Sequence, residues 1–232
     1  MSMNKVVEQK IIAITSLDEN SVEFMLAEFN SLQTNILKLE DAKSNRVNFF
    51  LVVVAALTAG VPGLVGNANF QTTLSAIISM AALGGFVLGI AVLEQLLRYS
   101  QAIVSLHRRA GRIRRWFVQA DKTILPYLAF EAGDDRPRMK VSSAILEFRG
   151  GDIIVRMVNS ISFAIFVVAL VSTFYPALSL FFMVGLVPIG IAVWYIQQKR
   201  IQMRLSFVEE NMKKNIRFPY ADVEKDSIIL PE

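Results

Sequence analysis

The 232-residue chain has no cysteine and a single histidine, His107. The missing cysteines exclude a disulfide framework, a thiolate metal site and a cysteine nucleophile. They also fit a protein whose polar mass stays in a reducing cytoplasm. No Walker A loop, GxSxG elbow or HExxH helix occurs, so neither a catalytic centre nor a bound cofactor or metal is expected. The first 20 residues lack the apolar core and small-residue cleavage site of a removable signal. Charge is absent from four long stretches, residues 49–66, 74–93, 157–176 and 177–196.

What fills those stretches is apolar. The chain is 53% hydrophobic, and its mean hydropathy is +0.45. Soluble domains are about 45–50% apolar, so the excess is modest and its placement decides. Each run holds about 18–20 residues, which as a helix is about 27–30 Å, the thickness of a bilayer's hydrocarbon core. Four transmembrane helices in two hairpins are expected, the first acting as the insertion signal.

Lysine and arginine set the orientation. None of the 24 lies in a run or in the short connections "GLVGNANFQTT" and "FYPAL". Five precede the first run, twelve stand between Arg98 and Arg156, and seven follow from Lys199 onward. Basic residues near span ends stay in the cytoplasm. Both termini and the middle segment are therefore expected there, in a multi-pass protein of the cell inner (plasma) membrane.

Amphipathic helices extend the spans. Before the first, Val22, Met25, Phe29, Leu32, Ile36 and Leu39 recur at steps of three and four, a coiled-coil seam. Ser16 and Glu19 have the spacing of a capping box at its start. After the second, Leu96, Tyr99, Ile103, Leu106, Ala110, Ile113 and Phe117 repeat the pattern, and Ile201, Leu205, Val208 and Met212 do so after the fourth. These stripes can bury one another in a bundle or pair between subunits.

The expected fold is an all-α integral membrane protein. It has a cytoplasmic N-terminal helix (1–47), a first hairpin (48–96) and a cytoplasmic basic helix and loop (97–155). A second hairpin (156–197) and a cytoplasmic helix and tail (198–232) follow. Within the loop, "KVSSAILEF" fits a strand or a short helix, and Asp152 is placed to cap the third span. The tail "FPYADVEKDSIILPE" reads as extended.

Four groups of residues invite a functional reading. Asn159, Ser162, Phe166, Ala169 and Thr173 share one face of the third span, polar at its ends and apolar at its centre. Such a face can line a pore with a dewetting constriction, or it can hydrogen-bond to a neighbouring helix. Ala81, Gly85 and Gly89 form a small-residue ridge that lets another backbone approach closely, within one subunit or between two. Gly185, Pro188 and Gly190 interrupt the fourth span, as a kink or as a gate hinge.

The fourth group is basic. Arg108, Arg112 and Arg115 occupy one side of the helix after span two, with Trp116 and Phe117 close by. The field of anionic headgroups fades with distance from the bilayer, so a nucleotide or phosphate ligand, or an acidic cytoplasmic protein, is the functional reading. Topology and internal salt bridges account for them as well, and both rank ahead of nucleic acid. His107 reads as a solvated helix residue or a pH-sensitive group. Asp134 and Asp135 read as a cation site, or as a turn partnered by Arg136 or Arg138. No charged residue sits at mid-membrane depth, which counts against a proton-coupled pump or transporter.

The run "AEFNSLQTNILKLEDAKSNRVNFF" resembles the helix that leads into the membrane in SLATT-type proteins of bacteria. "GRIRRWFVQADKTILPYL" is similar to a basic-aromatic segment after their hairpin. The resemblance covers residues 20–130, and the second hairpin departs from it. It implies a pore-forming effector of a bacterial defence system, controlled by a nucleotide signal or a partner. The expected function is a homo-oligomeric, inner-membrane pore gated by its cytoplasmic helices; the competing expectation is a membrane anchor that recruits a cytoplasmic partner.

Overall fold

A computed structural model describes residues 19–60, 71–137, 151–175 and 179–219, with the side chains of 71–73 and 179–183 left aside. Among these residues the chain is all-helical, without a strand. Helix α1 spans Glu19–Gly60, α2 Gln71–Ala120, α3 Gly151–Phe174 and α4 Ser179–Lys213, with a 3-10 turn at Lys122–Tyr127 between α2 and α3. Ser16, the segment 140–148, Arg138, the tail from residue 220 and most of both short connections lie outside the described residues.

Two helices, α2 from Leu74 and α3, are long and apolar enough to cross a membrane. The other two apolar runs reach into undescribed residues, at 61–66 and 177–178. Only 28% and 44% of the most apolar windows of α2 and α3 is buried. A soluble core helix would bury most of such a window.

The chain divides into two compact units. One comprises Met1–Glu40, Gln101–Met139 and Val208–Glu232; the other comprises Asp41–Ser100 and Lys140–Phe207. Their boundaries fall several residues beyond the ends of the apolar runs.

The second unit packs parts of all four helices around Phe50, Leu96 and Val155, with Val47, Leu97 and Ile201 alongside. Gly151 is needed there: a methyl built on it would lie 2.8 Å from Val47 Cγ2. Asp152 stands in the first turn of α3 and meets Arg156 at 3.4 Å. Large apolar side chains face outward from every helix, among them Val52, Met80, Ile161 and Val184. So much exposed apolar surface calls for lipid or another protein. The unit's described charges are Lys43, Arg46, Arg98, Arg156, Lys199, Arg200 and Arg204 against Asp41, Glu94 and Asp152. This basic collar lies within a few residues of the Val47, Leu97, Val155 and Ile201 cluster.

The first unit realises the seam of α1. Leu32 and Ile36 are buried, Met25 and Phe29 join Leu32, and Ala110 and Ile113 of α2 complete the cluster with Leu106 and Phe117. Burying one such side chain contributes about 1.5–3 kcal/mol in water. After α2, the Asp121 carboxylate accepts from Thr123 N (2.9 Å) and so caps the 3-10 turn.

Candidate functional site

The small ridge of α2 and the polar stripe of α3 face each other in the second unit. A methyl built on Gly89 would lie 2.4 Å from Asn159 Oδ1 and 3.2 Å from Phe50 Cζ. One built on Gly85 would meet Ser162 Oγ at 3.6 Å. Farther along, the Ser75 and Thr173 hydroxyls are 2.9 Å apart. Phe86 of α2 packs on Phe163 of α3 (4.7 Å between centroids), and Phe163 continues to Phe166 (5.9 Å). Ser162 and Ala169 are buried, Phe166 and Thr173 are half-buried, and Ala81 is half-buried on the ridge. Asn159, Ser162 and Thr173 of the stripe thus meet α2 within one chain.

Asn159 stands out within this seam. It is 0% exposed, and among the described residues neither its amide nitrogen nor its amide oxygen has a hydrogen-bond partner. A buried, unpaired amide costs about 1–3 kcal/mol by mutational measures. Ser160, next to it, donates back to Arg156 O (2.8 Å).

Along α4 the helix continues through Gly185, Pro188 and Gly190. Gly190 faces α3, where its methyl would lie 3.9 Å from Ala164 Cβ and from Ser160 O. Pro188 is exposed, and among the described residues a methyl on Gly185 would meet only Ile189 Cδ1 of the same helix, at 3.9 Å.

In the first unit the arginines of α2 are mostly inside. Arg108, Arg114 and Arg115 are buried, Arg112 is part-exposed and Arg109 is exposed. Arg108 NH2 donates to both Glu209 oxygens (3.0 and 2.8 Å), and its Nε donates to Pro137 O (3.3 Å). Arg112 Nε donates to Asp134 Oδ2 (2.9 Å) and its NH2 to Asn215 O (3.2 Å). Arg114 lies over Phe29 (5.3 Å) and Phe130 (4.9 Å), a cation between two ring faces. The arrangement closes charge inside the protein.

Asp134 is the hub of that closure. Its side chain is 0% exposed and accepts from Arg217 N (3.0 Å) and Phe218 N (2.9 Å) as well as from Arg112. Its own amide donates to Phe218 O (3.1 Å). The described residues that answer Asp134 are therefore distant ones on α2 and near the C-terminus; Arg136 pairs with Glu131, and Arg138 lies outside the described residues. Burial raises the Asp134 carboxyl, and the two amides and the Arg112 guanidinium outweigh it, holding the pKa below the usual value. His107 is half-buried rather than solvated, and burial first and the Arg114 charge second lower its pKa against an opposing pull from Glu40. Burial likewise lowers Arg114.

Sequence reasoning missed Gly111. A methyl there would lie 2.1 Å from Gly133 O, so the loop carrying Asp134 can rest on α2 only at a glycine. The signal was available, since a glycine inside a helical pattern loses about 0.5–1 kcal/mol against alanine and usually has a packing reason. Among the described residues no group of three or more His, Cys, Asp or Glu can hold a metal. Comparison with family models, with curated proteins and with solved structures returns no match.

Proposed function

We propose that the chain is a four-span inner-membrane protein with both termini in the cytoplasm. In this reading it forms a homo-oligomeric pore, and the arrangement described above is its closed state. The observation that carries the reading is Asn159: an amide held at 0% exposure against the α2 ridge, with no hydrogen-bond partner among the described residues. Intramembrane polar groups are expensive and tend to mark pathways. A rotation of α3 away from the α2 ridge would wet Asn159 and Ser162 and give the amide water partners. Helices α1, α2 and α4 each run from one compact unit into the other, so a rearrangement of the arginine-clamped unit has a continuous lever into the spans. The resemblance of residues 20–130 to SLATT-type proteins leans the same way, toward a defence effector released by a cytoplasmic signal or partner.

A second reading, a membrane anchor that recruits a cytoplasmic partner, is favoured by exposed aromatic side chains in the first unit. Phe24 is 67% exposed, Tyr127 87% and Phe130 63%. Planar-bilayer recording of the purified full-length protein separates the two. A pore gives discrete conductance that Asn159→Leu abolishes, whereas an anchor is silent and retains its partner after the same substitution. Silence of the unsubstituted protein across the partners and nucleotides tried would overturn the pore.

A further inference from the structure

An open groove of about 640 Å³ runs along the second unit between α3 and α4. Its floor is the close approach of Ala164 and Gly190. Its walls are Met157, Ile161 and Ile165 on one side and Val187 and Ile191 on the other. Both sets recur at steps of four, so each wall is one helix face. The volume falls within the range of about 300–1,000 Å³ typical of ligand sites. The almost wholly apolar lining gives a polar metabolite nothing to bond, and an elongated hydrocarbon can lie along it. Ile161, Val187 and Ile191 are more than half exposed, so the groove is open along its length.

One end is chemically different. Trp194 closes it, with the Arg156 guanidinium 4.9 Å from the ring centroid. Tryptophan and arginine at one level mark the boundary between hydrocarbon and headgroups. The basic collar, with its seven cationic and three anionic side chains, belongs to the same unit. We propose that the groove seats an acyl chain of an anionic phospholipid, with its phosphate at the Arg156–Trp194 end and drawn there by the collar. A zwitterionic lipid would fill the walls equally well and leave the excess charge unanswered. An apolar helix from a second copy would do the same. The site rests on the reading that α3 and α4 cross the bilayer, and it is independent of whether a pore opens.

The chain has two tryptophans, so Trp116→Phe leaves Trp194 as the sole reporter. The full-length variant is reconstituted in phosphatidylcholine vesicles. These contain the same small fraction of either brominated phosphatidylglycerol or brominated phosphatidylcholine. The expected result is several-fold stronger quenching of Trp194 by the anionic lipid. That preference should shrink toward parity as salt is raised, in Arg156→Gln, and in Ala164→Phe, which fills the floor. The salt series needs no folded variant beyond the reporter itself. Equal quenching by both lipids means ordinary boundary lipid and overturns the site, while leaving the membrane reading intact. Protein that stays vesicle-bound but is quenched by neither has its groove covered by protein, which overturns the site too. Failure to partition into vesicles at all sinks the membrane reading beneath it.

Discussion

Asn159 fills the notch that Gly89 leaves in α2, with its amide oxygen 2.4 Å from where a β-carbon on that glycine would stand. The contact joins a polar group in one apolar helix to the absence of a side chain in another. Gly89→Ala must push on Asn159 and on Phe50, and both are fully buried. Overpacking of that kind costs about 1–3 kcal/mol. Gly85→Ala meets Ser162 at ordinary contact distance and should be near neutral. Unfolding in detergent by chemical denaturant should rank the two in that order, and Asn159→Ala should restore much of what Gly89→Ala loses.

The loop that carries Asp134 depends on Gly111 in a comparable way, but its obstacle is backbone. Gly111→Ala would place a methyl 2.1 Å from Gly133 O, and a main chain cannot rotate aside as a side chain can. The loop around residues 128–137 should lift from α2. Hydrogen exchange at Asp134, whose amide bonds to Phe218 O, should accelerate at least tenfold.

Asp134 binds the loop, α2 and the residues before the tail through one carboxylate. Asp134→Ala leaves the amides of Arg217 and Phe218 without their acceptor and should cost about 2–3 kcal/mol. Its pKa is lower folded than the 3.8 of an unperturbed aspartate, so the unfolded chain takes up the proton first. The stabilisation is complete above pH 3.8 and is lost as pH falls through the folded value. An acid titration of unfolding should show that loss in the unsubstituted chain and not in Asp134→Ala.

His107 adds a dependence at milder pH. Its folded pKa also lies below its ordinary 6.5, here because the charged form is disfavoured by burial and by Arg114. Above 6.5 the ring is neutral folded and unfolded, and it contributes no pH dependence. Below 6.5 the unfolded chain gains the proton first, and stability declines until the folded value is reached. His107→Gln should flatten that decline, as read by thermal unfolding between pH 7 and pH 5.

Arg108 and Glu209 form a largely buried pair, their side chains 7% and 13% exposed. Breaking such a pair by removing one partner usually costs about 3–5 kcal/mol. Arg108→Met and Glu209→Met should each approach that loss, and the double variant should lose less than either sum predicts. A double-mutant cycle with additive losses would remove the pair from the clamp.

The helical character and the seams of this protein were legible because both are local. Leu32, Ile36, Ala110 and Ile113 lie where a repeat of three and four places a buried stripe, and burial follows the spacing. The polar stripe of α3 and the small ridge of α2 were each legible as faces. Their meeting was not, since spacing along one helix carries no address for the helix it touches. Nor could periodicity show the burial of Arg108, Arg114 and Arg115. Arg108 meets Pro137 and Glu209, 29 and 101 residues away, and Arg114 is covered by Phe29 and Phe130. Charge counting treats an arginine as solvated until a distant segment folds over it.

By itself, then, the order of residues determined where oil and charge are segregated and which strips of each helix shun water, because those properties repeat within a few turns. Only the folded chain decided which strip meets which. Asn159 came to lie against Gly89, and Asp134 came to hold the backbone at Phe218, by long-range closure whose geometry depends on the volumes of many side chains at once.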